Sequence, residues 1–226
     1  MEPALAALRE QLARRDELLR AGAHRVGWKL GMGDRERVDG SIALGHLTSA
    51  TCYDDGASVV LTDSGALHAD VEIGVELERP VEPEDDVEAV RAAIGCWLVA
   101  LEIVDLAPVL NTAVAVVATN VFHRGVAFSR PSLALPAGPL QCAACVNGDQ
   151  RESTSTTADV AERVLAAARM LSRVDERITA GDRIITGSIL QVPVRLDDDV
   201  VAEVRGLGTV QLSIIRGGGG PRVPRS

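Results

Sequence analysis

Alternation of apolar and polar residues is clearest in HADVEIGVELE, His68 to Glu78. Ala69, Val71, Ile73, Val75 and Leu77 share one parity. His68, Asp70, Glu72, Glu76 and Glu78 share the other, with Gly74 among them. A period of two predicts a strand with one face in the core. The second face then carries four carboxylates, although like charges on one strand face repel and strands are depleted in Asp and Glu. Such a face is either solvated or organised around something that carboxylates bind.

Helical spacing predicts helices over residues 2–22, 82–98 and 159–174. The first stops at Gly22, the second has acidic residues in its first turn, and the third opens on Asp159 as N-cap with Glu162 three residues on. Strands are predicted in RVGWKLGMG (25–33), ASVVLTD (57–63), VALEIVDLAP (99–108), RGVAFSRP (124–131), RIITGSILQVPVRL (183–196), DVVAEVRGLG (199–208) and TVQLSII (209–215). LQCAACVNGDQRE reads as a hairpin turning at Asn147-Gly148. The elements make a strand-rich α+β fold, a closed or nearly closed β-roll of barrel-like form with helices packed outside. The expected division is an N-terminal helix (1–24), a main domain (25–215) and a disordered tail, RGGGGPRVPRS (216–226).

Composition narrows the function. The chain has 226 residues, is 46% hydrophobic and only 2% aromatic, so its core is aliphatic. Its net charge of −9 argues against nucleic acid, which asks for basic patches and stacking platforms, and against an anionic membrane surface. No signal peptide and no apolar span of bilayer length is read, so a cytoplasmic, reduced protein is expected. Cys142-Ala-Ala-Cys145 has redox or zinc spacing, but no second pair or nearby His completes it. Two small strand residues are the simpler reading.

Asp70 and Glu72, two apart on a strand, point the same way. Glu102 lies within the apolar run Trp97 to Val104, where a lone carboxylate needs a cation, hydrogen bonds or a raised pKa. Three carboxylates without a His pair form a hard, oxygen-rich set suited to Mg²⁺ or Mn²⁺. The alternative is that the charges are simply solvated. Lys29 in VGWKLG is a candidate for anion binding or a shifted pKa, or else a snorkelling lysine at a strand edge. Thr186-Gly187-Ser188 interrupts an apolar strand, either as a place where a ligand approaches the backbone or as an ordinary bulge.

Four short segments in order, VGWKLG, ADVEIGVEL, ALEIVD and AGDRIITGSIL followed by VP and GLGTVQLSI, resemble the fumarylacetoacetate hydrolase superfamily. They look most like its 2-oxo-4-pentenoate hydratase and 4-oxalocrotonate decarboxylase branch. The resemblance covers roughly residues 25 to 215. It implies a divalent cation held by Asp70, Glu72 and Glu102, with Lys29 near the reacting carbons of a 2-oxo acid. It also implies that Asn120, Thr186, Gly187 and Ser188 line the substrate site, and that the protein is a homo-oligomer. Water addition to a 2-hydroxy-2,4-dienoate is the first expectation. Decarboxylation, C–C hydrolysis and a non-catalytic partner or ligand-binding role are the alternatives. The chain departs from the family pattern at Asp70, one methylene shorter than Glu, at Thr119 in place of an Asp, and at His123 and Arg124 in place of small residues.

Overall fold

The computed structural model describes residues 2–31, 42–61, 65–107, 110, 112–157 and 159–217. At its centre, strand β5 (Leu67–Leu77) pairs antiparallel with β6 (Ile94–Asp105) across helix α2 (Val87–Ala93). Before them come α1 (Glu2–Arg20), β1 (Arg25–Gly31), β2 (Ala43–Thr48), β3 (Cys52–Tyr53) and β4 (Ser58–Leu61). After them come α3 (Ala113–Ala118), β7 (His123–Phe128), β8 (Leu140–Val146), β9 (Asp149–Thr156) and α4 (Val160–Leu171). Strands β10 (Arg183–Ile185), β11 (Leu190–Pro193), β12 (Asp199–Val204) and β13 (Gly208–Arg216) complete the chain.

One sheet runs β2-β1-β10-β5-β6-β7-β3, with β11 also on β5; a second runs β4-β13-β12-β8-β9. The odd-numbered face of β5, Ala69, Val71, Ile73 and Val75, joins the main aliphatic core with Val200, Leu212 and Ile214 of the second sheet. The other face is buried as well. Leu47 of β2, Ile185 of β10, Leu98 and Ala100 of β6, and Val126 and Phe128 of β7 form one separate cluster. Strands from opposite ends of a sheet can share a cluster only if that face is concave, so the first sheet curls into a half-barrel. The fold class expected from the sequence is therefore the one observed.

Local chemistry explains the elements that were foreseen. The Asp159 carboxylate accepts from the Glu162 backbone N–H at 3.2 Å and caps α4. Asn147 and Gly148 take φ values of 54° and 85°, the pair of left-handed residues that a tight two-residue hairpin requires. Helix α1 docks through buried Gln11, whose amide donates to the Leu44 carbonyl at 3.0 Å and the Val117 carbonyl at 2.6 Å. Cys142 and Cys145 are free thiols in β8, as the simpler reading had it.

Other elements differ from expectation. Residues 94–98, read as the end of a helix, are strand, because Ile94, Cys96, Trp97 and Leu98 pair along β5 once α2 has ended at Ala93, with Gly95 at a shift in register. Strand β2 escaped notice because all six of its residues are buried, which removes the alternation that marks a half-exposed strand. Helix α3 is only six residues long, too short to show a helical period. The run 183–196 is two strands, broken between Ile185 and Leu190. Arg216, expected in the tail, ends β13, and the Gly217 N–H bonds the Leu61 carbonyl; the remaining tail, 218–226, lies outside the described residues. Among the described residues no helix is long and apolar enough to cross a membrane.

Strand β1 approaches β10 unusually closely at Gly27. Its φ is +153°, and a Cβ there would lie 1.9 Å from the Arg183 carbonyl oxygen. Gly27→Ala must push these parallel strands apart. It should lower the unfolding free energy by about 3 kcal/mol or more, read from urea denaturation; an unchanged midpoint would contradict this packing.

Candidate metal centre

The polar face of β5 points into the concave side of the half-barrel and not into solvent. Asp70 is 6% exposed and Glu72 1%, while Glu76, two alternations further on past Gly74, reaches the rim and pairs with Arg183 at 2.8 Å. In the β5–β6 ladder Asp70 stands directly opposite Glu102, itself 1% exposed. Ligand oxygens of Asp70, Glu72 and Glu102 all lie within 4.8 Å of one another. Three carboxylates this close and this dry repel strongly unless a cation or protons intervene. The donor set is oxygen-only and compact, which fits a hard divalent cation such as Mg²⁺ or Mn²⁺.

Lys29 is buried in β1, an interior strand, so it does not snorkel from an edge. In a flat sheet β1 and β6, three strands apart, would be about 14 Å from each other. The curl closes that gap, and Lys29 Nζ donates to Glu102 Oε1 at 2.5 Å and to the Val121 carbonyl at 2.9 Å. Space for its stem comes from Gly45 of β2, where a Cβ would lie 2.6 Å from Lys29 Cγ and 2.7 Å from Asn120 Oδ1. Although it sits on a different strand from the three carboxylates, Lys29 is hydrogen-bonded to one of them.

The Thr186–Ser188 segment separates β10 from β11 and wraps the carboxylates. The Thr186 hydroxyl donates to the Ile73 carbonyl at 3.0 Å, and the Gly187 N–H donates to Glu72 Oε2 at 2.7 Å. Ser188, half-buried, donates to the Leu190 carbonyl at 3.2 Å and adjoins Asp70. Asn120 spends both ends of its amide on His46 of β2, accepting from its N–H at 2.8 Å and donating to its carbonyl at 3.0 Å. Asn120 therefore fixes the wall beside Lys29.

Two further side chains were not assigned a role from the sequence. Gln191 of β11 stands opposite Asp70 in the ladder and donates to its Oδ1 at 2.8 Å. His123 opens β7 and donates from Nδ1 to Glu102 Oε1 at 2.6 Å, while its Nε2 meets Thr51 Oγ1 at 2.9 Å. Alternation from Val126 and Phe128, which face the concave side, would turn His123 the other way. The register steps from Ile103–Gly125 to Val104–His123, so Arg124 is the extra residue of a bulge that restores His123 to the face of Glu102.

Electrostatics divide the three acids. Burial, with the Glu102 charge nearby, raises Asp70 to about 7. Glu72 is raised well above the carboxylate range by burial and then by Glu102 and Asp70. Burial also opposes charge on Glu102, but Lys29 and His123 outweigh it and hold its pKa below the usual value. Burial lowers the pKa of His123, which keeps the imidazole neutral at pH 7. The metal-free cluster thus ionises first at Glu102 and only reluctantly at the other two.

No protein-family model matches the sequence, and no curated protein matches it significantly. Solved structures do match. The 4-oxalocrotonate decarboxylase from Pseudomonas putida G7, complexed with magnesium and adipate, superposes with a TM-score of 0.80 at 24% identity. The match covers 91% of this chain and 83% of that one. The same enzyme complexed with calcium and acetate gives 0.77 at 23% identity over the same shares. A fumarylacetoacetate hydrolase family protein from Yersinia pestis CO92 gives 0.61 at 17% identity, covering 83% of this chain and 91% of that one. The fold is the one that the sequence resemblance implied.

A pH dependence follows from the raised acids. With a folded pKa near 7 against 3.8 for the ordinary group, Asp70 holds its proton more tightly when folded. Between about pH 4 and 7 the folded state therefore carries more protons than the unfolded one, and stability falls as pH rises. Urea midpoints of the metal-free protein should decline across this window, and less steeply for Asp70→Asn. Excess Mg²⁺ should raise the thermal midpoint more at about pH 8 than at about pH 5, because protons compete for the same oxygens. Equal shifts at both pH values would contradict the assignment.

Proposed function

We propose that the protein is a divalent-metal-dependent enzyme that acts on an unsaturated 2-oxo acid. The single observation that carries this reading is the buried convergence of Asp70, Glu72 and Glu102 within 4.8 Å, with Lys29 bonded to one of them. The three carboxylates would hold Mg²⁺ or Mn²⁺. When bound, such a cation supplies Lewis acidity to the adjacent carboxylate and ketone oxygens of the substrate and stabilises enolate charge there.

The chain's own groups divide the remaining work. Two of the three N–H donors of the Lys29 ammonium go to Glu102 and Val121. The third is available to a substrate oxygen or to a proton in transit. Thr186 and Gly187 brace the cluster from behind, which leaves Ser188 as the contact of that segment with the substrate carboxylate. Gly45 and Asn120 shape the wall past which the substrate chain runs.

Loss of carbon dioxide, water addition and C–C hydrolysis share an enolate. We favour decarboxylation here, ahead of the hydration expected from the sequence. It needs a second carboxylate, β or vinylogous to the ketone, whose bond to carbon breaks into the enolate, and one protonation, whereas hydration needs a base that activates water. The neutral imidazole at the cluster, His123, is already committed to Glu102 and Thr51. Hydration of a 2-hydroxy-2,4-dienoate is the second reading, and it is the better one if product analysis finds a hydroxy acid without released carbon dioxide. The resemblance also supports a homo-oligomer.

Calorimetric titration of Mg²⁺ should show binding to wild type and about ten-fold or more weaker binding to Glu102→Gln; equal affinities would defeat the metal reading. With Mg²⁺ present, an ultraviolet assay on dienoates and their 2-oxo tautomers should show turnover that falls about a hundred-fold or more in Lys29→Met. Binding of metal and oxalate without turnover of any such acid would favour the ligand-binding role. Light scattering should return a multiple of the 23.8 kDa chain mass, and a monomer would exclude the oligomer.

A further inference from the structure

Glu102 is unlike the other two acids because its oxygens are not equivalent. Oε1 accepts from Lys29 Nζ at 2.5 Å and from His123 Nδ1 at 2.6 Å. A carboxylate oxygen has two lone-pair directions, so these two donors saturate it. Oε2 is then the oxygen with capacity left for a cation. His123 is held in turn at Nε2 by Thr51 Oγ1, 2.9 Å away, and its side chain is 1% exposed. Two departures from regular backbone bring it there. One is the bulge at Arg124. The other is the run Asn120, Val121 and Phe122, all left-handed with φ of 55°, 54° and 63°. Consecutive non-glycine residues in that region, one of them β-branched, cost of order 1–3 kcal/mol each and persist only where the surroundings over-determine them. The same run presents the Val121 carbonyl to Lys29.

We propose that His123 is a positioning residue that restricts Glu102 to one-oxygen ligation and thereby makes the site discriminate for Mg²⁺ over Ca²⁺. This rests on the metal reading above. Mg²⁺ takes six ligands at 2.0–2.1 Å in near-ideal octahedral geometry, whereas Ca²⁺ accepts six to eight at 2.3–2.6 Å and readily takes carboxylates through both oxygens. An Oε1 occupied by His123 and Lys29 is denied to the larger ion. Without His123, Oε1 keeps one free lone pair and the carboxylate is free to turn, which relaxes the restriction and favours Ca²⁺.

The test is calorimetric titration of Mg²⁺ and, separately, Ca²⁺ into wild type, His123→Leu, His123→Asn and Thr51→Val. Leu keeps bulk without a donor, while the Asn amide can place a donor near the position of Nδ1. In His123→Leu the ratio of Mg²⁺ to Ca²⁺ affinity should fall about ten-fold or more, the usual size of an outer-partner effect. His123→Asn should recover most of the ratio, which a purely structural role would not predict. If His123→Leu does not fold, Thr51→Val carries the test, with an expected fall of about three-fold from the loss of one hydrogen bond. An unchanged ratio in the folded variants overturns the proposal while leaving the metal site standing. Absence of Mg²⁺ binding to wild type overturns the metal reading and this proposal with it.

Discussion

Three carboxylates share the dry interior of a curled sheet with one lysine, and the rest of the site is built to make that tolerable. Taking an ion out of water costs several kcal/mol even after relaxation. Lys29 is hydrogen-bonded only to Glu102 among the three, and its pull on Asp70 and Glu72 is outweighed by burial and by their neighbours' charge. Asp70 and Glu72 answer by holding protons, which is why their pKa values rise while that of Glu102 falls. A divalent cation removes the same conflict without protons. Asp70 and Glu72 on the polar face of β5 thus carry charges that have no solvent to go to, which is the condition that a bound cation would relieve.

Three irregularities of the fold meet at this cluster. The sheet is broken between β10 and β11 so that the Gly187 N–H can turn towards Glu72. The bulge at Arg124 returns His123 to the concave face. The left-handed run after α3 aims a carbonyl at Lys29. Away from the site, α4 is capped, the β8–β9 hairpin turns on Asn-Gly, and the main core is aliphatic. At the cluster, local rules give way to hold a particular side chain at a particular angle.

The apolar cluster beside the carboxylates completes the arrangement. Leu98, Ala100, Val126, Phe128 and Ile185 lie on the same concave side. They exclude water from one flank of the acids, which strengthens the Lys29–Glu102 contact and raises the cost of leaving Asp70 and Glu72 unneutralised. Below them, Gly74 stands between Ile185 and Leu98 in the ladder, where a larger side chain would press on Leu98 and Phe128.

Much of this was legible in the chain. The alternation of His68 to Glu78 determined that Asp70 and Glu72 share a face, since side-chain parity in a strand is a local property of the backbone. The apolar setting of Glu102 and Lys29 marked both as needing partners, since that too is a local matter of solvation. The tertiary structure alone decided that the polar face of β5 turns inward, because the curl belongs to the whole sheet and to no strand within it. It also decided that Lys29 reaches Glu102 across the two strands between them and that Gln191 stands over Asp70, since pairing register joins residues far apart in sequence. His123 shows the limit most sharply. Its parity in β7 is reversed by a single extra residue, and only the partner strand reveals that the residue is extra.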